Sequence, residues 1–301
     1  MSQPTASLPT ASLQNSSLRD RAEGLTGHLP PLLASAEHLA ATVLLGEHGR
    51  RRSGMGDEFW QYRPAVPGDE ARMIDWRRSA RSDQHFVRER EWQAAQSVLL
   101  WVDNARSMRF SGDPNQPKKA DRARLLALAT AVLLIRGGER VGLTGIMAPP
   151  RSGPVQLLRI AEALAADGDE DYGIPEARGM VPHSRALFAS DFLGDLAPYE
   201  SALAQAADRG VRGAILQILD PQEEEFPFDG RTIFESMSGA LRHETLKAGD
   251  LRSRYLDRLA ARKARLAGLA QATGWHYCCH HTGQPAQPAL LWLYRALEGA
   301  A

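Results

Sequence analysis

SVLLWVD, residues Ser97 to Asp103, is an apolar run that stops at a carboxylate. A run of this length without alternation reads as a strand buried on both faces, because in a parallel sheet helices cover both sides. Asp103 is then at the carboxyl end of a central strand, the edge of an open α/β sheet where ligands bind.

Downstream, the pattern repeats. Helical spacing from Lys118 to Arg136 is closed by Gly137 and Gly138, and RVGLTGI (Arg140 to Ile146) is the next strand. A helix over Gln156 to Ala166 leads through an acidic loop to RALFASDFL (Arg185 to Leu193), a strand with Asp191 near its end. A helix over Leu196 to Asp208 precedes VRGAILQILD (Val211 to Asp220), again ending in an acid. Strands alternating with helices imply an α/β fold with a doubly wound, mostly parallel sheet flanked by helices. The tail adds a short strand or hairpin (Pro227 to Met237), a long helix (Asp250 to Ala272), a strand in WHYCCHHT and a final helix (Gln287 to Glu298).

Upstream lies a different kind of sequence. Gly46 to Trp92 holds ten arginines and no lysine against nine Asp plus Glu. Arginine without lysine favours planar, bidentate pairing with carboxylates. Nucleic-acid binders carry an excess of positive charge, so the balance here speaks against reading Arg50, Arg51, Arg52, Arg77 and Arg78 as a nucleic-acid surface. The segment reads instead as an ion-pair brace on the sheet domain. Ile74 and Trp76 alternate with Asp75 and Arg77 in strand-like fashion, so one face is expected in the core and the other paired with charges. On that reading Asp69, Asp75 and Glu89 pair with Arg63, Arg72 and Arg88, and Asp75→Ala should lower stability markedly.

The residues of this segment also carry a family resemblance. GRRRSGMGDEFWQYR, PGDEARMIDWRRSA, FVRERE and the strand followed by DNARSM resemble the bacterial domain-of-unknown-function-58 family. Its members are related to von Willebrand factor A (vWA) domains and are often encoded beside MoxR-type AAA+ ATPases. The resemblance runs from about Leu29 to the C-terminus and marks Gly68, Asp69, Arg72, Asp75, Trp76, Arg77, Arg88 and Glu89 as family-motif residues. It implies a vWA-like, Rossmann-like sheet and a protein partner, with a MoxR-type ATPase as the candidate. It also implies a role in the assembly or maturation of other proteins.

The resemblance further implies a divalent-cation site, in which a D-x-S-x-S loop, a threonine and a second aspartate supply hard oxygen ligands for an ion such as Mg²⁺. Asp103, Ser107 and Asp191 match that pattern. Ala105 replaces the first serine, no threonine occurs between Asp167 and Arg185, and Arg106 puts a positive charge in the loop, so the site is degenerate. Asn104, Arg106 and Asp220 are the candidate partner-binding residues at the same edge.

Composition narrows the function classes. The 301 residues have zero formal net charge and 43% hydrophobic content, enough for a sizeable core and no default preference for anionic partners. Met1 to Gly24 is rich in Ser, Thr, Gln and Pro and reads as a disordered tail. Residues 25–95 then form an N-terminal helix (Pro31 to Leu45) with the motif segment, and 96–301 the α/β domain. No apolar run spans a bilayer and no secretory signal is evident, so membrane insertion is not expected and a cytoplasmic location is. The two adjacent cysteines, Cys278 and Cys279, fit a reducing compartment. His276, Cys278 and His280 share one face of a strand but lack a fourth ligand for zinc.

No phosphate loop, nucleophile elbow or zinc-protease helix is present. The leading expectation is therefore a non-enzymatic interaction protein. The alternative is a metal-dependent phosphoester hydrolase using Asp103, Asp191 and Asp220.

Overall fold

The computed structural model describes residues 30–46, 59–66, 69–71, 74–81, 84–90, 95–146, 148–177, 179–236, 239 and 242–298. The expectations for the 1–24 tail, Gly68 and Arg72 lie outside them.

In chain order the elements are α1 (Pro31–Gly46), β1 (Phe59–Pro64), α2 (Trp76–Ser79), β2 (Phe86–Arg90), β3 (Ser97–Val102) and a 3-10 turn (Arg106–Arg109). There follow α3 (Lys119–Arg136), β4 (Arg140–Leu143), α4 (Pro154–Leu164), β5 (Arg185–Ser190), α5 (Ala197–Asp208) and β6 (Arg212–Leu219). The chain continues through α6 (Pro221–Glu225), β7 (Thr232–Glu235), β8 (Arg242–Thr245), α7 (Gly249–Thr273), β9 (His276–His281) and α8 (Ala286–Glu298).

Five strands form the central sheet in the order β4-β3-β5-β6-β9, with every neighbouring pair parallel. Alternate residues of these strands enter two separate cores. Val98, Leu100, Leu187, Ala189, Leu216 and Ile218 pack with α1, α3, α4 and α8. Leu99, Ala186, Phe188 and Ile215 point the other way and pack with α5, α7 and Trp275. Both faces are thus covered, which is why SVLLWV shows no polar alternation. The α/β class and the parallel sheet flanked by helices agree with the sequence reading.

Helix α3 is the centre of the first layer. Leu126 to Val132 are all buried without a break, since the helix lies between the sheet and α1, α4 and α8. Close packing also sets one backbone position: a Cβ on Gly213 of β6 would lie 1.8 Å from the Ala186 carbonyl oxygen of β5. Only glycine fits there.

Because β3 is followed in space by β4 on one side and β5 on the other, the strand order reverses between β3 and β5. In such sheets the crevice outside the carboxyl ends at this reversal is the ligand position. Asp103 follows β3 and Asp191 follows β5, so the two flank it.

The motif segment departs from its expected form. β1 and β2 make an antiparallel hairpin, with Pro64 opposite Phe86 and Phe59 opposite Arg90, which places Arg88 and Glu89 on β2. Residues 76–79 are a single helical turn rather than a strand, because Asp75 caps it: its Oδ1 accepts from the Arg78 amide at 3.0 Å. Ile74 still bridges Val87, but Trp76 is 57% exposed and meets His85 edge to face. Trp76 therefore stays outside the core, and Ile74 is only partly buried. Asp69 likewise accepts from the Val66 amide at 2.8 Å and closes a turn.

Asp75 is partly exposed and caps the turn that follows it. Asp75→Ala should lower unfolding free energy by at least the ~1 kcal/mol usual for a lost N-cap, as read by urea denaturation; no measurable loss would show that the cap does not hold the turn.

Candidate functional site

The site grows from the ends of β3, β5 and β6. Asp103 is 1% exposed; its Oδ1 accepts from the Ala105 amide at 2.9 Å and its Oδ2 from the Ser190 hydroxyl at 2.7 Å. Burial pushes the Asp103 carboxyl above the usual carboxylate range, against the pull of the Ser190 and Ala105 hydrogen bonds. Gly173 closes over it, where a Cβ would meet Oδ1 at 2.3 Å. The chain before α5 can pass over Asp103 only as glycine, and Tyr199 of α5 fixes it by donating to the Gly173 carbonyl at 2.7 Å.

Asp191 is fully buried and its Oδ1 accepts from the Leu193 amide at 3.0 Å. Its Oδ2 takes a 2.8 Å bond from the ammonium of Lys119, which also reaches Glu223 Oε1 at 2.6 Å. Lys119 is the first residue of α3 and only 1% exposed, with the Phe110 ring 5.7 Å from its Nζ. Burial alone would push this ammonium down; Asp191 and Glu223 together outweigh it and hold its pKa above the ordinary lysine value. The expected site residues thus lie around a lysine that the motif reading did not include.

Ser107 is buried in the turn after Asp103, and its hydroxyl has no hydrogen-bond partner among the described residues. Its neighbour Met108 brings that turn against Asp191, whose amide points at the Met108 sulfur at 3.2 Å. Asn104 is exposed, and the guanidinium of Arg106 faces Asp169 at 3.7 Å. Asp220 is a correction to the partner-binding set. It is 1% exposed, caps α6 through the Gln222 amide at 2.9 Å and takes the Gly112 amide at 3.0 Å. It ties the loop before α3 to the end of β6, and no partner reaches it in this conformation.

The donor set does not fit the divalent cation that the family resemblance implies. An ion bound to Asp191 Oδ2 at the usual ~2.1 Å would sit within about 5 Å of Lys119 Nζ, given the 2.8 Å contact of that oxygen with Nζ. At an effective dielectric of about 20, a double and a single positive charge at that separation repel by about 7 kcal/mol. Ala105, where a hydroxyl ligand belongs, is a buried methyl. Asp103, Ser107 and Asp191, the degenerate site, are thus poorly suited to Mg²⁺ in this arrangement.

Beside this locked cluster is an open pocket of about 320 Å³, whose lining mixes Leu100, Trp101 and Leu143 with Asn104, Arg124 and Glu176. Ile146 and Ile174 also line it and are 49% and 64% exposed.

At the far strand, β9, His280 is buried and its Nε2 lies 3.1 Å from Arg122 Nη1. His281 and Lys263 instead both contact Glu224, so the two histidines serve different partners.

The sequence profile described as "Protein of unknown function DUF58" matches residues 61–265. This chain belongs to that family. Among relatives of this DUF58 chain, "Uncharacterized protein Rv1480" of Mycobacterium tuberculosis is 27% identical over 275 residues, covering 81% of this chain and 83% of its own length. "Uncharacterized protein Mb1516" of Mycobacterium bovis matches to the same extent. Similar solved structures include an aerotolerance-related membrane protein from Bacteroides fragilis and the conserved hypothetical protein BatB from Bacteroides thetaiotaomicron. Each has 13% identity and a TM-score of 0.39, covering 68% of this chain and 99% of the other. Among the described residues of the DUF58 chain, no helix is long and apolar enough to cross a membrane.

Two outcomes follow for the buried charges. Lys119→Met leaves two carboxylates without their cation and should cost about 3–5 kcal/mol; adding Asp191→Asn and Glu223→Gln should recover most of it, as read by urea unfolding at neutral pH. His280 supplies a pH dependence. Burial, and then the adjacent Arg122 guanidinium, hold its imidazole down at about 4. The unfolded chain, with a histidine pKa of about 6.5, takes up a proton over that window which the folded chain refuses. Stability from this group is therefore full above pH 6.5 or so and falls as the pH drops toward 4. His280→Gln keeps an acceptor for Arg122 and should flatten the stability profile between those values.

Proposed function

We propose that this DUF58 chain is a vWA-like protein-interaction module. It works in the cytoplasm with a MoxR-type AAA+ ATPase in the assembly or maturation of other proteins. The observation that carries the reading is the open pocket at the carboxyl edge, whose lining residues Ile146 and Ile174 are 49% and 64% exposed. Apolar side chains exposed beside a concave, partly polar site are the usual anchor of a protein interface. About 320 Å³ is room for one or two side chains of a partner.

The charged neighbours support binding over chemistry. Asp103, Asp191 and Asp220 are buried and each accepts from internal donors, so none of them presents a base to solvent. The choice of an ATPase as partner comes from the family resemblance. Cys278 and Cys279, free thiols on β9, suit a reducing compartment.

The test is retention of an AAA+ ATPase from a lysate of the native bacterium on the immobilised chain. Ile174→Asp should abolish retention without altering the melting temperature. Val155→Asp should not: Val155 is 59% exposed at the opposite end of α4 from the pocket residues Ala163 and Leu164. Equal retention by both variants, or no ATPase on the wild-type chain, overturns the proposal.

A further inference from the structure

We infer that Lys119 is the resident cation of the site between β3 and β5, standing where a divalent ion would sit, and that this edge of the molecule is metal-independent. The inference does not rest on the identity of the partner. It rests on two separate observations about one atom.

The first is coordination. Lys119 Nζ bridges Asp191 Oδ2 at 2.8 Å and Glu223 Oε1 at 2.6 Å, contacts made between groups that are 1%, 0% and 14% exposed. The carboxylates come from the end of β5 and from α6, and the ammonium from the start of α3. One positive charge therefore joins three elements around the sheet edge, the service a bound ion renders in a metal site. A primary ammonium carries three donors, and two of them are accounted for here.

The second is enclosure. The Phe110 ring sits 5.7 Å from the same nitrogen, and such a face favours a cation without supplying a ligand oxygen. Mg²⁺ gives up its waters reluctantly and keeps several of them. A ring at that distance, with Met108 buried against Asp191, offers those waters apolar neighbours. An ammonium needs no such shell.

Removing the side chain beyond Cβ should convert the arrangement into a cation site. Lys119→Ala leaves Asp191 and Glu223 facing a vacancy, with the Asp103 carboxylate close enough to Asp191 to feel its charge. Hard oxygen donors of this kind select Mg²⁺ or Mn²⁺.

The probe is Mn²⁺ itself. Electron paramagnetic resonance of free aqueous Mn²⁺ reports uptake by the full chain, and thermal melts compare MnCl₂, MgCl₂, EDTA and NaCl of matched ionic strength. The wild-type chain should take up no Mn²⁺ that Asp191→Asn abolishes, and should melt at one temperature in all four. Lys119→Ala should melt lower and regain stability in MnCl₂ beyond the NaCl control, a gain that Asp191→Asn cancels. Stoichiometric uptake by the wild-type chain that Asp103→Asn or Asp191→Asn removes overturns the inference. A folded Lys119→Ala with no Mn²⁺-specific gain overturns it equally. Should that variant not fold, the wild-type titration alone still supports or overturns the inference.

Discussion

A buried ammonium between two carboxylates is the constraint on which the carboxyl edge depends. Taking three charges out of water is costly, and the geometry must be good for their mutual attraction to offset it. Once Lys119, Asp191 and Glu223 are in place, the start of α3, the end of β5 and α6 have little freedom left relative to one another. The other contacts extend that frame. Asp220 clips the Gly112 amide, Ser190 ties Asp103 across the strand reversal, and Gln217 of β6 donates to the Asp191 carbonyl at 2.9 Å.

The functional consequence is a division of labour along one edge. Over β3 and β5 the carboxylates are closed in, Asp191 and Glu223 on Lys119 and Asp103 on the Ser190 hydroxyl and the Ala105 amide, while over β3 and β4 a pocket of mixed lining stays open. The acidic loop is held across the first region by backbone bonds, from the Arg106 amide to Glu170 and from the Ser107 amide to Asp171, and by Arg109 on the Gly168 carbonyl. On the proposed reading, a partner would meet a preformed surface whose buried carboxylates already have internal donors, and would gain its binding energy from apolar burial and rim charges.

Much of this was legible in the sequence. Runs such as SVLLWV and GAILQIL announced strands covered on both faces, and the acids closing them marked the ligand edge. The lysine was missed because motif matching looks for ligand oxygens. The helical period did carry a signal: Lys119, Ala123 and Ala127 fall at intervals of four on the buried face of α3. A lysine in that register, at the end of the helix nearest the strand-end acids, has to find carboxylates or remain unpaired. The strand-like reading of IDWR failed for a local reason. An aspartate three residues before an amide it can cap starts a helical turn, and alternation over four residues is too short to outweigh that preference. Glu223 could not be anticipated, since it depends on how α6 folds back after β6.

The most direct test of the account is a crystal structure of the full chain grown in tens of millimolar MgCl₂, read at the start of α3. The account predicts the Lys119 ammonium still bonded to Asp191 and Glu223, with no ion between Asp103 and Asp191. A Mg²⁺ coordinated by Asp103, Ser107 or Asp191, with the Lys119 side chain swung away, would contradict it.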